Sequence, residues 1–84
     1  MEVAVSTNRG TEIVPVPENP ISLYEILEAA GVQNVDFDAV EVDGLRIGGF
    51  SKNNPEKREL RLKTFLVRCT DAIPFVRLLR RVVA

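Results

Sequence analysis

Histidine is absent from this chain of 84 residues, and cysteine occurs once. Histidine is the usual general base near neutral pH and a leading zinc ligand, so its absence excludes Ser-His-Asp and Cys-His catalysis and makes a zinc site improbable. Glycine-rich phosphate loops are also missing, because no Gly-Lys-Ser/Thr follows a run of glycines. We therefore expect a protein that is not an enzyme and that carries no cofactor and no metal.

Long apolar runs are missing as well. The longest contain three residues, whereas about 20 are needed to cross a bilayer. The first residues, Met1-Glu2-Val3, show neither the basic nor the apolar region of a secretory signal. Cys69 has no second cysteine with which to form a disulfide, which fits a reducing compartment. These features predict a cytoplasmic protein without a membrane contact, and the length predicts one domain over residues 1–84.

The charges that are present are sorted along the chain. Residues 1–45 contain nine acids and one base, whereas residues 46–84 contain ten bases and three acids. A formal net charge of −1 conceals this asymmetry. It indicates either a charged contact surface or two halves that lie side by side and neutralise each other.

The first half of the chain shows strong local signals. Alternating apolar residues predict strands over 2–6 and 11–16, joined by a polar turn into a hairpin. Ser22 with Glu25 has the pattern of a capping box and predicts an amphipathic helix over 21–31.

The second half begins with the hairpin signal Asp43-Gly44, between predicted strands at 39–42 and 45–47. Residues 51–58 are polar and predict an exposed loop. Residues 60–67 then predict a strand, with leucines inward and Arg61 and Lys63 outward on one sheet face.

A final helix is predicted from Thr70 or Asp71 onward, with Pro74 in its first turn. Its apolar stripe faces the sheet, and Arg77, Arg80 and Arg81 fall within about 100° on the opposite side. The predicted fold class is therefore α+β. Its small mixed or antiparallel sheet has four to five strands, covered by two helices, in the order β-hairpin, helix, β-hairpin, strand, C-terminal helix.

This order of elements resembles the β-grasp superfamily of ubiquitin and the small sulfur carriers over residues 2–68. The resemblance lies in the first hairpin, in the helix Ser22-Leu23-Tyr24-Glu25-Ile26-Leu27-Glu28-Ala29-Ala30-Gly31-Val32, in the later hairpin and in a last strand. Modifiers and carriers of that superfamily use a terminal Gly-Gly. This sequence ends in Val82-Val83-Ala84 instead, and its Gly48-Gly49 is internal. The resemblance thus implies a variant that binds other molecules.

The residues that we expect to form a binding surface are Arg61, Lys63, Arg77, Arg80, Arg81 and Tyr24. The favoured function is a small adaptor that contacts another protein, or a second copy of itself as a homodimer, through charged surfaces. The alternative is a nucleic-acid-binding protein whose basic C-terminal face contacts phosphates. Against that alternative, few aromatic residues are interleaved with the basic ones, and the pI is about 5.4.

An acidic segment at 36–43 contains the carboxylates Asp36, Asp38, Glu41 and Asp43. A second alternative function is that this segment binds calcium weakly. Its spacing departs from the twelve-residue calcium loop, so exposed strand and turn carboxylates are the simpler interpretation. Tyr24 either anchors a partner or packs against the prolines at 15–20.

Overall fold

The computed structural model describes residues 1–7, 9–32, 37–48, 50 and 53–79. In these ranges the chain forms a five-stranded mixed sheet, a two-stranded sheet and two helices, which confirms the α+β class. The elements in chain order are β1 (Glu2–Thr7), β2 (Gly10–Pro15), β3 (Ile21–Ser22), α1 (Leu23–Ala29), β4 (Ala39–Val42), β5 (Leu45–Ile47), α2 (Pro55–Thr64), β6 (Leu66–Val67) and β7 (Phe75–Leu79). The five-stranded sheet has the order β2-β1-β7-β4-β5, and the two-stranded sheet pairs β3 with β6.

Both predicted hairpins are confirmed. β1 pairs antiparallel with β2, and β4 pairs antiparallel with β5. Between β4 and β5, Asp43 and Gly44 both have positive φ, 51° and 84°. Two consecutive residues with positive φ form the mirror-image turn whose twist matches that of the flanking strands.

The first helix is also confirmed, in a shorter form. The Ser22 hydroxyl accepts a hydrogen bond from the Glu25 N–H at 3.2 Å, as an N-cap does. Gly31 has a φ of +74° just beyond the helix, where the left-handed conformation favours glycine. The helix begins at Leu23 rather than at 21, because Ile21–Ser22 pairs with β6.

The predicted strand over 60–67 is wrong in its first half. α2 spans Pro55–Thr64, and only Leu66–Val67 forms a strand. Asn54 caps this helix by accepting a hydrogen bond from the Lys57 N–H at 3.1 Å, and Pro55 occupies the first helical position. The alternation of leucines had indicated a strand, in which Leu60 and Leu62 would share one face. In the helix they lie on different sides: Leu62 is fully buried and Leu60 is 61% exposed. The predicted loop at 51–58 is likewise helical from Pro55 onward.

The predicted C-terminal helix is wrong over residues 75–79. These residues form β7, which lies in the middle of the sheet, parallel to β1 and antiparallel to β4. As a strand, this segment forms backbone hydrogen bonds with β1 on one side and with β4 on the other. Such tertiary contacts override a local pattern that is typical of a helix. Residues 80–84 lie outside the described residues. Among the described residues the second helix is therefore α2. The main sheet has five strands, the larger of the two predicted numbers.

One face of the five-stranded sheet forms the core with the two helices. Side chains from this face and from the helices are buried together: Val3, Val5, Val14, Val40, Ile47, Val76, Leu23, Ile26, Leu27 and Leu62. α1 and α2 therefore lie on the same side of the sheet. We call the opposite side the open face, because no described helix covers it.

A charged residue, Arg58, lies inside this core. Arg58 of α2 is 2% exposed, and its guanidinium carbon lies 4.4 Å from the ring centroid of Phe37 and 5.9 Å from that of Phe50. Its Nη2 donates a hydrogen bond to the Phe37 carbonyl. Burial lowers the pKa of Arg58, and the nearby negative charge of Asp38 acts in the opposite direction. Arg58 thus connects α2 to the segment that precedes β4.

We predict that Arg58→Ala lowers the free energy of unfolding by about 3 kcal/mol, because it leaves a cavity and removes the cation that faces two aromatic rings. Arg61→Ala is the matched control on the same helix, since Arg61 is exposed, and it should change stability by less than about 0.5 kcal/mol. Urea denaturation measures both. Equal losses for the two variants would contradict the structural role of Arg58.

We also predict that Asn54→Ala lowers the free energy of unfolding by about 1 kcal/mol, because the first turn of α2 loses its side-chain acceptor. Asn53→Ala is the control, since Asn53 is an exposed neighbour that precedes the cap. Thermal unfolding followed by circular dichroism compares them. If both asparagines could be replaced without effect, α2 would not depend on this cap.

Candidate functional site: the open face of the sheet

Arg61 and Lys63 do not share a sheet face, because both lie on α2. Side chains two positions apart on a helix are rotated by about 200° around its axis, so they point to nearly opposite sides. The Lys63 Nζ lies 3.6 Å from the Glu59 Oε1 and 4.9 Å from the ring centroid of Tyr24. Lys63 therefore contributes to the contact between α1 and α2, and the prediction that Arg61 and Lys63 share one sheet face is wrong.

Tyr24 takes part in the same contact between the helices. It is half-buried on α1, with Lys63 of α2 over its ring. A hydrogen bond to Glu59 raises the pKa of Tyr24, and the negative charges of Glu59 and Glu28 raise it further. The phenol thus has polar neighbours on both helices, which favours a structural role over that of a free anchor.

Arg77 lies on the open face, on β7. Its Nη1 is 4.0 Å from the Glu41 Oε1, and the two residues lie directly opposite each other on β7 and β4. Arg46 lies opposite Glu41 on the next strand, β5. Side chains of residues directly opposite each other share a face, so these three form a row of charges that alternate in sign across three strands.

A second row on the open face is apolar. Ala4 of β1 lies opposite Ile13 of β2 on one side and opposite Phe75 of β7 on the other. Ile13 is 52% exposed and Phe75 is 41% exposed. The apolar row therefore runs from the β2 edge to the middle of the sheet, next to the charged row.

Asp43 fixes the position of Phe75. The Phe75 N–H donates to Asp43 Oδ1 at 2.9 Å, and the Asp43 N–H donates to the Phe75 carbonyl at 2.9 Å. The turn residue thus extends the pairing of β4 with β7 by one position. The aromatic side chain of Phe75 therefore lies on the open face, and both its backbone N–H and its carbonyl are bonded to Asp43.

Sequence reasoning missed the role of Phe75, which it assigned to the apolar stripe of a helix. In the structure only Val76 of Phe75-Val76-Arg77 is buried, as on a strand. The same residues fit a helical stripe equally well, so the sequence alone does not show that Phe75 is exposed.

The predicted basic residues do not form one surface in the described part of the chain. Arg77 lies on the open face, whereas Arg61 and Lys63 belong to the helix layer on the other side of the sheet. Arg80 and Arg81 lie outside the described residues.

The acidic segment at 36–43 is only partly described, because Asp36 lies outside the described residues. Of its other carboxylates, Asp43 accepts a backbone hydrogen bond and Glu41 faces Arg77. The described residues include no group of three or more potential metal ligands. They also include no helix that is long and apolar enough to cross a membrane.

No protein-family model, curated protein or solved structure matches this chain. The open face is thus identified by its geometry alone.

Proposed function

We propose that this protein is a small non-enzymatic protein-binding domain that contacts its partner through the open face of the sheet. The observation that carries the proposal is the position of Phe75 and Arg77, two residues apart on the central strand β7 and both exposed on that face. Aromatic residues and arginine are enriched in protein interfaces, and binding energy concentrates at such residues near the centre of the contact.

The two rows on the open face suggest the chemistry of the partner. Phe75 and Ile13 offer an apolar strip on either side of the small residue Ala4. Arg77 adds an exposed cation whose distance to Glu41 is 4.0 Å, at the outer limit of an ion pair. A partner with an exposed apolar side chain beside a carboxylate would fill the strip and compete for Arg77. The charged row then contributes specificity and rate of association more than affinity.

The fold is consistent with the β-grasp resemblance, which is part of this proposal. Two hairpins flank the last strand, and that strand runs parallel to β1. A β-grasp variant of this kind would act by binding other molecules. A cytoplasmic location is also part of the proposal, supported by the single cysteine, Cys69, which is buried.

Affinity capture from a lysate of the source cells, followed by titration of the purified partner, tests the proposal. We predict that Phe75→Ser and Arg77→Glu each weaken binding of the captured partner at least about tenfold, because each removes a central contact. In an HSQC titration of the labelled domain, shifts should cluster on the open-face residues of β2, β1, β7 and β4.

Leu60→Ser is the matched control, since Leu60 is an exposed apolar residue on α2, away from the open face. It should bind the partner as the wild type does. A partner that requires Leu60 but not Phe75, or shifts confined to α1 and α2, would refute the open face as the contact surface.

A further inference from the structure

Strand β2 is an edge strand, and the register of its hairpin decides which of its backbone groups face outward. In an antiparallel pair, hydrogen-bonded and non-bonded residue pairs alternate. The Val16 N–H donates to the Met1 carbonyl at 2.8 Å, so the even-numbered residues of β2 are the ones bonded to β1. The N–H and C=O groups of Thr11 and Ile13 therefore point away from the sheet.

This edge has few of the features that protect edge strands from pairing. Such strands are usually short, bulged or marked by outward charges, lysine above all. β2 has six residues paired one to one with β1, and it contains no lysine. Its only charged residue, Glu12, lies opposite the buried Val5 and therefore on the core side, 3.6 Å from Arg9.

The opposite edge of the sheet differs. β5 has three residues. The pair that closes the turn, Val42 and Leu45, is hydrogen-bonded, so the next pair is not, and only Arg46 of β5 has backbone groups that point outward. An edge with one such residue cannot form a ladder of hydrogen bonds. Among the described strands of the five-stranded sheet, β2 is thus the edge suited to strand addition.

We propose that two copies of this chain form a homodimer by antiparallel pairing of their β2 strands, with the two-fold axis at Ile13. In this register Ile13 lies opposite Ile13 of the second copy, and Thr11 lies opposite Pro15. The N–H groups of Ile13 and Thr11 from each copy donate to the carbonyls of Ile13 and Pro15 of the other. Pro15, which has no N–H, sits at the ends of the ladder, where its missing donor costs least.

Electrostatics and packing both favour this register. An axis at Glu12 would place two carboxylates directly opposite each other, which is destabilising, whereas the axis at Ile13 places Glu12 opposite Val14. The half-exposed Ile13 side chains meet on the open face. The apolar row of Phe75, Ala4 and Ile13 then continues without interruption into the same row of the second copy.

The dimer uses the edge of the sheet and requires no other protein. The chain could therefore be monomeric and still bind a partner through the open face, or dimerise without binding a partner there. Two-fold symmetric dimers of this kind are the commonest oligomers. A contact this small implies a weak dimer, with a dissociation constant between about 10 μM and about 1 mM.

Sedimentation equilibrium of the purified chain over that concentration range tests the dimer. Ile13→Lys should weaken self-association at least about tenfold, because it places two cations opposite each other at the axis. Leu45→Lys is the matched control: Leu45 is 68% exposed on the other edge strand, and its replacement should leave the association unchanged. Phe75→Ser should also dimerise as the wild type does, which separates this test from that of the proposed function.

Amide hydrogen exchange of the wild type gives a second readout that needs no variant. The amides of Thr11 and Ile13 should become more protected as the concentration rises, while those of Glu12 and Val14 stay protected throughout. A monomeric mass over the whole range would overturn the dimer. So would concentration-dependent protection of Arg46, or an equal loss of association in Leu45→Lys, because either result would indicate pairing of β2 with β5.

Discussion

The pairing of β7 with β1 on one side and with β4 on the other holds the five-stranded sheet together. The hairpins β1–β2 and β4–β5 each pair strands that are adjacent in the sequence, and β7 is the strand that joins them. Its parallel contact with β1 brings together residues from opposite ends of the chain, so it forms at a larger cost in loop-closure entropy than either hairpin. Val76 contributes to offsetting that cost, since it is fully buried and lies opposite Val5 on one side and Val42 on the other.

The position of β7 also determines where the charges of the chain lie. The acidic first half and the basic second half meet on the open face, where Arg77 approaches Glu41. The cations of α2 lie on the other side of the sheet, where Lys63 pairs with Glu59 of its own helix. In the described residues, the asymmetry along the sequence therefore does not become an acidic side and a basic side. It becomes mixed surfaces, and the aromatic and arginine residues exposed on one of them support the proposed protein partner.

The elements that the sequence predicts correctly are those with local signals. Asp43-Gly44 specifies its hairpin by backbone conformation, and Ser22 specifies the start of α1 by capping. α2 has a comparable signal, since Asn54 and Pro55 mark a helix start, but the alternation of leucines over 60–62 matched a strand equally well. β7 has no local signal that decides between the two states, because residues 72–79 fit a helical stripe as well as a strand. Only the contacts with β1 and β4 decide it, and the exposure of Phe75 and Arg77 on the open face could not be predicted without them.

The described basic residues Arg61, Lys63 and Arg77 lie on different surfaces, and we propose that they do not form a phosphate-binding face. An HSQC titration of the labelled protein with a mixed-sequence oligonucleotide at about 50 mM salt tests it most directly, since low salt exposes phosphate contacts. We predict a spectrum that stays essentially unchanged. Shifts that appear together on Arg61, Lys63 and Arg77, and that added salt reverses, would contradict the claim and establish nucleic acid as the partner.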